Sequence, residues 1–200
     1  MGEIICTSPG DNDNFDYLAM HISEKKYWNI VKQKKSQREV IAVMNYKIRK
    51  ISEEEVSLLQ DFLYEAVFVP EGMSAPPKSI INQPELQVYI TDFGKKKDDI
   101  SLVAEVDKKV VGAVWVRIMN DYGHIDNETP SFAVSLYKDY RGFGIGTDLM
   151  KEMLRILKDR GYKQASLSVQ KANYAVRMYQ KTGFEIIDEN EEEYIMLCHF

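Results

Sequence analysis

The residues with the most chemistry per position lie in Arg141-Gly142-Phe143-Gly144-Ile145-Gly146-Thr147, between an apolar run, Phe132-Ala133-Val134-Ser135-Leu136, and a helix-like segment, Asp148 to Arg160. Glycines at alternate positions clear side chains from one side of a turn. Consecutive backbone N–H groups can then converge on an anion at a helix start, where the macrodipole is positive. Arg141 adds a fixed positive charge at the rim. The spacing is neither a P-loop nor the G-x-G-x-x-G of dinucleotide folds. Taken alone, the turn also reads as a tight strand-to-helix connection with no ligand.

A second constellation follows. Ala165-Ser166-Leu167-Ser168-Val169 reads as a strand, and the segment Asn173 to Phe184 as a short helix that stops at Gly183. Arg141, Gly144 and Gly146, followed by Asn173, Ala175, Tyr179, Gly183 and Phe184, fit R/Q-x-x-G-x-G/A and then N-x-A-x-x-x-Y-x-x-x-G-F. In this the chain resembles the GCN5-related N-acetyltransferase (GNAT) superfamily, over roughly Tyr46 to Phe200.

The resemblance implies acetyl-CoA as donor, an amine as acceptor, direct transfer through a ternary complex, and no metal. It implies that the strand before the glycine turn and the strand before Asn173 splay apart, with pantetheine lying between Val134–Leu136 and Leu167–Val169. Backbone groups of Val134 and Leu136 would bond the pantetheine amides, and one N–H there would polarise the thioester carbonyl. Arg141, Gly142, Phe143, Gly144, Ile145, Gly146 and Thr147 would hold the pyrophosphate. Tyr179 would protonate the departing thiolate; its plainer reading is a core tyrosine. Asn173 would orient the pantetheine or cap the helix, and the two roles can coexist. An ammonium must lose a proton before it attacks, so a base is needed. Glu71, Glu105, His124, Asp126 and Glu128 are the candidates, each otherwise an ordinary surface or loop residue.

Composition bounds what surrounds these residues. With 200 residues, 44% hydrophobic and 28% charged, the chain can bury one sizeable core. A net charge of -5 argues against sequence-independent nucleic-acid binding. Cys6 and Cys198, at opposite ends, form no disulfide framework or zinc pattern. No run has transmembrane length and the first residues lack a secretory signal, so no membrane is expected and the cytoplasm is the expected compartment. Residues 1–45, acidic and then mixed basic and aromatic, read as an appended or poorly ordered extension, with Met44 a candidate start; a partner-docking helix is the alternative.

From Tyr46 onward the elements that must position the chemistry are legible. Tyr46–Ile51 has strand period, and Ser52-Glu53-Glu54-Glu55 is a capping box before a stripe of Val56, Leu59, Phe62, Leu63, Ala66 and Val67. A second helix is expected from Glu85 to Phe93, closed by Gly94, and an antiparallel hairpin over Ser101–Val106 and Val110–Ile118. The helix Asp148 to Arg160 turns Leu149, Met150, Met153, Leu154 and Leu157 inward and ends at Gly161; strands Phe184–Asp188 and Tyr194–His199 close the chain. The fold class is α/β (α+β): a mixed, mainly antiparallel sheet with helices on both faces. The expected function is acetyl transfer to a primary amine, a small amine slightly favoured over a protein. A catalytically silent acyl-CoA-binding module is the rival. Dimers are common in the superfamily, but nothing in these residues specifies an interface.

Overall fold

The computed structural model describes residues 45–70 and 72–200. The expected extension over residues 1–45 therefore lies, apart from Asn45, outside the described residues. Seven strands form one sheet in the order β1-β2-β3-β4-β5-β7-β6. They are β1 (Tyr46–Lys50), β2 (Ile100–Val106), β3 (Lys109–Arg117), β4 (Ser131–Leu136), β5 (Gln164–Gln170), β6 (Glu185–Glu189) and β7 (Glu193–His199). Every pairing is antiparallel except β4 with β5. The β2–β3 turn places Asp107 and Lys108 at φ 48 and 65, the left-handed conformation that matches the twist of a tight hairpin.

The helices are α1 (Leu59–Ala66), preceded by a 3-10 segment Glu53–Leu58, then α2 (Pro84–Gln87), α3 (Ile145–Asp159) and α4 (Val176–Lys181). Neighbouring residues of β4 show that α1 and α3 cover opposite faces, because successive side chains on a strand point opposite ways. Ser135 Oγ donates to the Phe62 carbonyl of α1 at 2.6 Å. A Cβ placed on Gly146 of α3 would lie 3.2 Å from the Leu136 side chain. On the α1 face Leu59, Phe62, Leu63, Tyr89, Val103, Ala113 and Trp115 pack together; on the other, Ile145, Leu149, Met150, Met153 and Leu157 of α3 are fully buried, while Leu154 is only half-buried.

Two boundaries differ from the sequence expectation. Helix α3 begins at Ile145 rather than Asp148, since the Gly144 carbonyl already accepts the Asp148 N–H at 3.1 Å. The helix expected over Glu85 to Phe93 is a single turn, α2, followed by turns. Its would-be carbonyl acceptors are diverted: Arg117 Nη1 donates to the Val88 and Thr91 carbonyls at 3.0 and 2.9 Å. Arg117 also pairs with Asp99 at 3.0 Å, the two side chains being 2% and 0% exposed. This buried pair fastens the chain after α2 to the C-terminal end of β3.

Candidate functional site

Strands β4 and β5 touch through one pair only, Ser131 with Ser166, closed by the Ser166 N–H donating to the Pro130 carbonyl at 3.0 Å. Beyond it they separate. The Tyr137 N–H donates to the Val111 carbonyl at 3.0 Å, which fixes the odd-numbered residues of β4 as the ones bonded to β3. The backbone groups of Val134 and Leu136 therefore face the gap. One of them is already taken, a correction to the expectation for Leu136: its carbonyl accepts Arg141 Nε at 2.8 Å. The Leu136 N–H and both groups of Val134 remain.

At the far end of the gap the chain turns through Lys138–Tyr140 into the glycine run. Gly142 and Gly144 have φ 83 and 84, a conformation that costs other residues dearly. Gly146 serves differently: it is helical, and its missing side chain, with that of Gly112, makes room for Leu136, whose Cγ would lie 2.7 Å from a Cβ at Gly112. Gly144 caps α3 without any side-chain cap, so the N–H groups of Ile145, Gly146 and Thr147 precede the first intrahelical bond. That is an anion site at the start of a 15-residue helix.

A groove of about 690 Å³ joins these parts. Val134, Ser135, Leu136, Arg141, Gly142, Gly144, Gly146, Thr147, Asn173 and Tyr179 line it, together with Tyr64 to Pro70 and Met73. Phe143 and Ile145 do not; Ile145 is fully buried in the core. Arg141 reaches the groove but is anchored away from its mouth, Nη2 donating to the Glu65 carbonyl at 3.1 Å and to Glu65 Oε2 at 2.7 Å. It ties the glycine turn to α1 as much as it offers charge.

Tyr179 is buried on α4, its ring edge-on to Phe184 at 6.2 Å. Burial, and secondarily Tyr174, pushes its phenol well above the usual value, so the hydroxyl holds its proton. Asn173 Oδ1 accepts the Ala175 N–H at 2.9 Å, the capping role, while the residue also borders the groove.

The expected bases are not brought to this groove. Glu71 lies outside the described residues. Glu105 is held on the β1–β2 edge by Arg49 Nε at 2.8 Å. His124 Nδ1 meets the Met119 carbonyl at 2.8 Å; Asp126 and Glu128 are exposed, with the Glu128 N–H donating to Asp126 at 2.8 Å. A hydrogen bond from Thr129, first among several, holds the Asp126 carboxyl below its ordinary value.

One carboxylate absent from that set, on the loop between β3 and β4, is tied to the sheet. Asp121 Oδ2 accepts Tyr89 Oη at 2.8 Å and Ser131 Oγ at 2.7 Å. Burial, then Asp121, raises the Tyr89 phenol; burial, then Glu192 and Asp121, raises the Glu193 carboxyl. The available signal was the serines at alternate positions of two otherwise apolar strands, Ser131 and Ser135, Ser166 and Ser168. They put polar atoms on the α1 face beside the gap.

Comparison with known proteins agrees with this geometry. Residues 67–184 match the family described as Acetyltransferase (GNAT) family. The chain is 34% identical over 86 residues to the "Probable N-acetyltransferase camello" of Xenopus tropicalis, covering 42% of this chain and 37% of that protein. It is 24% identical over 161 residues to the "Spermidine N(1)-acetyltransferase" of Thermoplasma acidophilum, covering 76% of this chain and 96% of that one. The crystal structure of PaiA N-acetyltransferase from Thermoplasma acidophilum in complex with coenzyme A superposes with a TM-score of 0.59 at 22% identity, over 78% of this chain and 100% of that chain. The chain thus spans little more than a third of the Xenopus relative's length.

Proposed function

The chain belongs to the GNAT acetyltransferase family, and on that premise we propose that it transfers the acetyl group of acetyl-CoA to a primary amine by direct attack. The observation that carries this reading is the divergence of β4 from β5 after a single bridge, with an uncapped helix start at one end of the gap. The pyrophosphate sits on the N–H groups of Ile145, Gly146 and Thr147. The pantetheine bonds Val134 and the Leu136 N–H as a substitute strand. The thioester carbonyl takes a gap-facing N–H of β4 as its oxyanion donor, a contact of the kind that contributes on the order of 10²–10³ in rate.

The amine lone pair attacks the thioester carbon, the C–S bond breaks, and Tyr179 gives its proton to the departing sulfur. The new amide nitrogen releases its surplus proton to solvent or to a nearby acceptor, and an equivalent proton returns from solvent to the Tyr179 phenolate. A small amine is favoured over a protein, supported by the long overlap with the Thermoplasma relative named for spermidine. The expected setting is cytoplasmic. Among the described residues no helix is long and apolar enough to cross a membrane.

The test is calorimetry with acetyl-CoA, followed by thiol release across polyamines, aminoglycosides, amino acids and lysine peptides. Binding together with release for one class establishes the reading and names the acceptor. No binding of acetyl-CoA would remove its foundation, and binding without release from any amine would turn it into acyl-CoA binding without turnover.

A further inference from the structure

The cradle stands at one end of the β4–β5 gap and the Ser131–Ser166 bridge at the other. A pantetheine arm that starts at the cradle therefore carries its thioester toward the bridge, and the acceptor nitrogen has to arrive there. Ser131 and Ser166 are register partners, so their side chains rise on the same face of the sheet. On that face Asp121 is oriented by Ser131 and by Tyr89, both donating to Oδ2. Its other oxygen, Oδ1, is buried and has no hydrogen-bond partner among the described residues. Ser166 Oγ, on a residue that is 0% exposed, has none either.

Two buried polar atoms left open on one face of the sheet are costly to a fold unless something else meets them. Oδ1 lacks a donor, and the Ser166 hydroxyl, which can donate or accept, lacks any partner among the described residues. No ion pair among the described residues includes Asp121. Glu193 of β7 adds negative charge, its carboxyl raised by burial and then by Glu192 and Asp121. An anionic oxygen and a hydroxyl on one face, with a further carboxyl in electrostatic reach, match an ammonium group, which brings several N–H donors and one positive charge.

We propose that Asp121, with Ser166 Oγ as a second contact, receives an ammonium group of the acceptor, so that the enzyme selects cationic amines over uncharged nucleophiles. This rests on the acetyltransferase reading for the direction in which the thioester points. Tyr89 and Ser131 are positioning residues: they occupy Oδ2 and leave Oδ1 free to accept from the ligand.

Asp121→Asn is the decisive variant, because an amide oxygen still accepts from Tyr89 and Ser131 while the charge is gone. Wild type and variant, each saturated with coenzyme A, are titrated by NMR with n-butylammonium, cadaverine and uncharged n-butanol. Wild type binds both amines more tightly than butanol. The variant loses roughly tenfold to a hundredfold of the amine affinity, the usual range for a charged hydrogen bond, with coenzyme A and butanol binding unchanged. Amines that bind wild type no better than butanol, or a variant that keeps its amine affinity, overturn the assignment. Should Asp121→Asn lose its cooperative thermal transition, Ser166→Ala reads the same site, with a smaller loss expected and an unchanged affinity overturning it. Thiol release with cadaverine separates the two readings. Amine binding at Asp121 without acetyl transfer counts against the acetyltransferase, whereas transfer with an unchanged acceptor KM in Asp121→Asn counts against the ammonium site.

Discussion

Replacing Tyr179 by Phe removes one oxygen and nothing else. The ring keeps its edge-on packing against Phe184 at 6.2 Å. Burial holds the phenol well above its ordinary value of 10, so throughout the assay range the resting enzyme carries it protonated and ready to donate. The developing thiolate is the group it serves, and general-acid assistance of that kind contributes about 10²–10⁴ in rate, or roughly 3–5 kcal/mol of barrier. The expected outcome is a fall in kcat of that size at saturating amine, measured by thiol release between about pH 6 and pH 9.5. Acetyl-CoA affinity by calorimetry and the thermal midpoint stay near wild type. A second consequence concerns pH and stability. The folded-state value is raised, so in the unfolded chain the phenol ionises first; the contribution is fully present below 10 and is lost as pH climbs above it. The Phe variant therefore unfolds less steeply in alkali. A kcat within about threefold of wild type, well short of that range, would refute the acid role. So would an equal loss of donor affinity and thermal midpoint, which would make Tyr179 a packing residue.

Gly144→Ala tests the cradle through backbone strain alone: φ is 84 and no atom would crowd the new Cβ. We expect a loss of about 1–2 kcal/mol in stability with weakened acetyl-CoA binding, followed by thermal denaturation and calorimetry. Full donor affinity would mean that the turn is connection only. Arg117→Met leaves Asp99 buried without its cation and two carbonyls without a donor, and should cost about 3–5 kcal/mol in urea unfolding; a loss under 1 kcal/mol would contradict the pair's structural role. Glu55 is held down to about 2, chiefly by hydrogen bonds from Arg49. Its contribution is thus present above 4.5 and lost as pH falls toward 2. Glu55→Gln should make the urea midpoint less pH-dependent across that window, and an unaltered acid limb would count against the pair.

How far the sequence could be read depended on how locally each feature is made. Gly142, Gly144 and Gly146 were legible because the backbone binds the anion, and backbone conformation follows from nearby residues. Even there Gly146 turned out to accommodate Leu136, from a strand ten residues earlier. Asp148 resembled a helix start, yet the cradle itself begins α3, and only the carbonyl of Gly144 shows it. Longer reaches left weaker traces. The single-turn α2 reflects Arg117, brought in across 26 and 29 residues to take its carbonyls. Arg141 was legible as a charge but not as a clasp on Glu65, 76 residues away.

The same distinction separates the donor side of the site from the acceptor side. A nucleotide tail shared by every reaction of the family can be held by backbone N–H groups, which any residue supplies once the glycines permit the turn. An acceptor is recognised by side chains that converge from separate segments. Tyr89 lies 32 residues before Asp121, and Ser131 ten after it, so the three share no spacing pattern. The base candidates Glu71, Glu105, His124, Asp126 and Glu128 rest on residue type and position in the chain, which carry no trace of the bonds from Tyr89 and Ser131 to Asp121. Those partners, rather than the carboxyl itself, distinguish Asp121, and they converge only in the folded chain. The donor side could be inferred from the chain, whereas the proposed ammonium site could be framed only once β4 and β5 were seen to part.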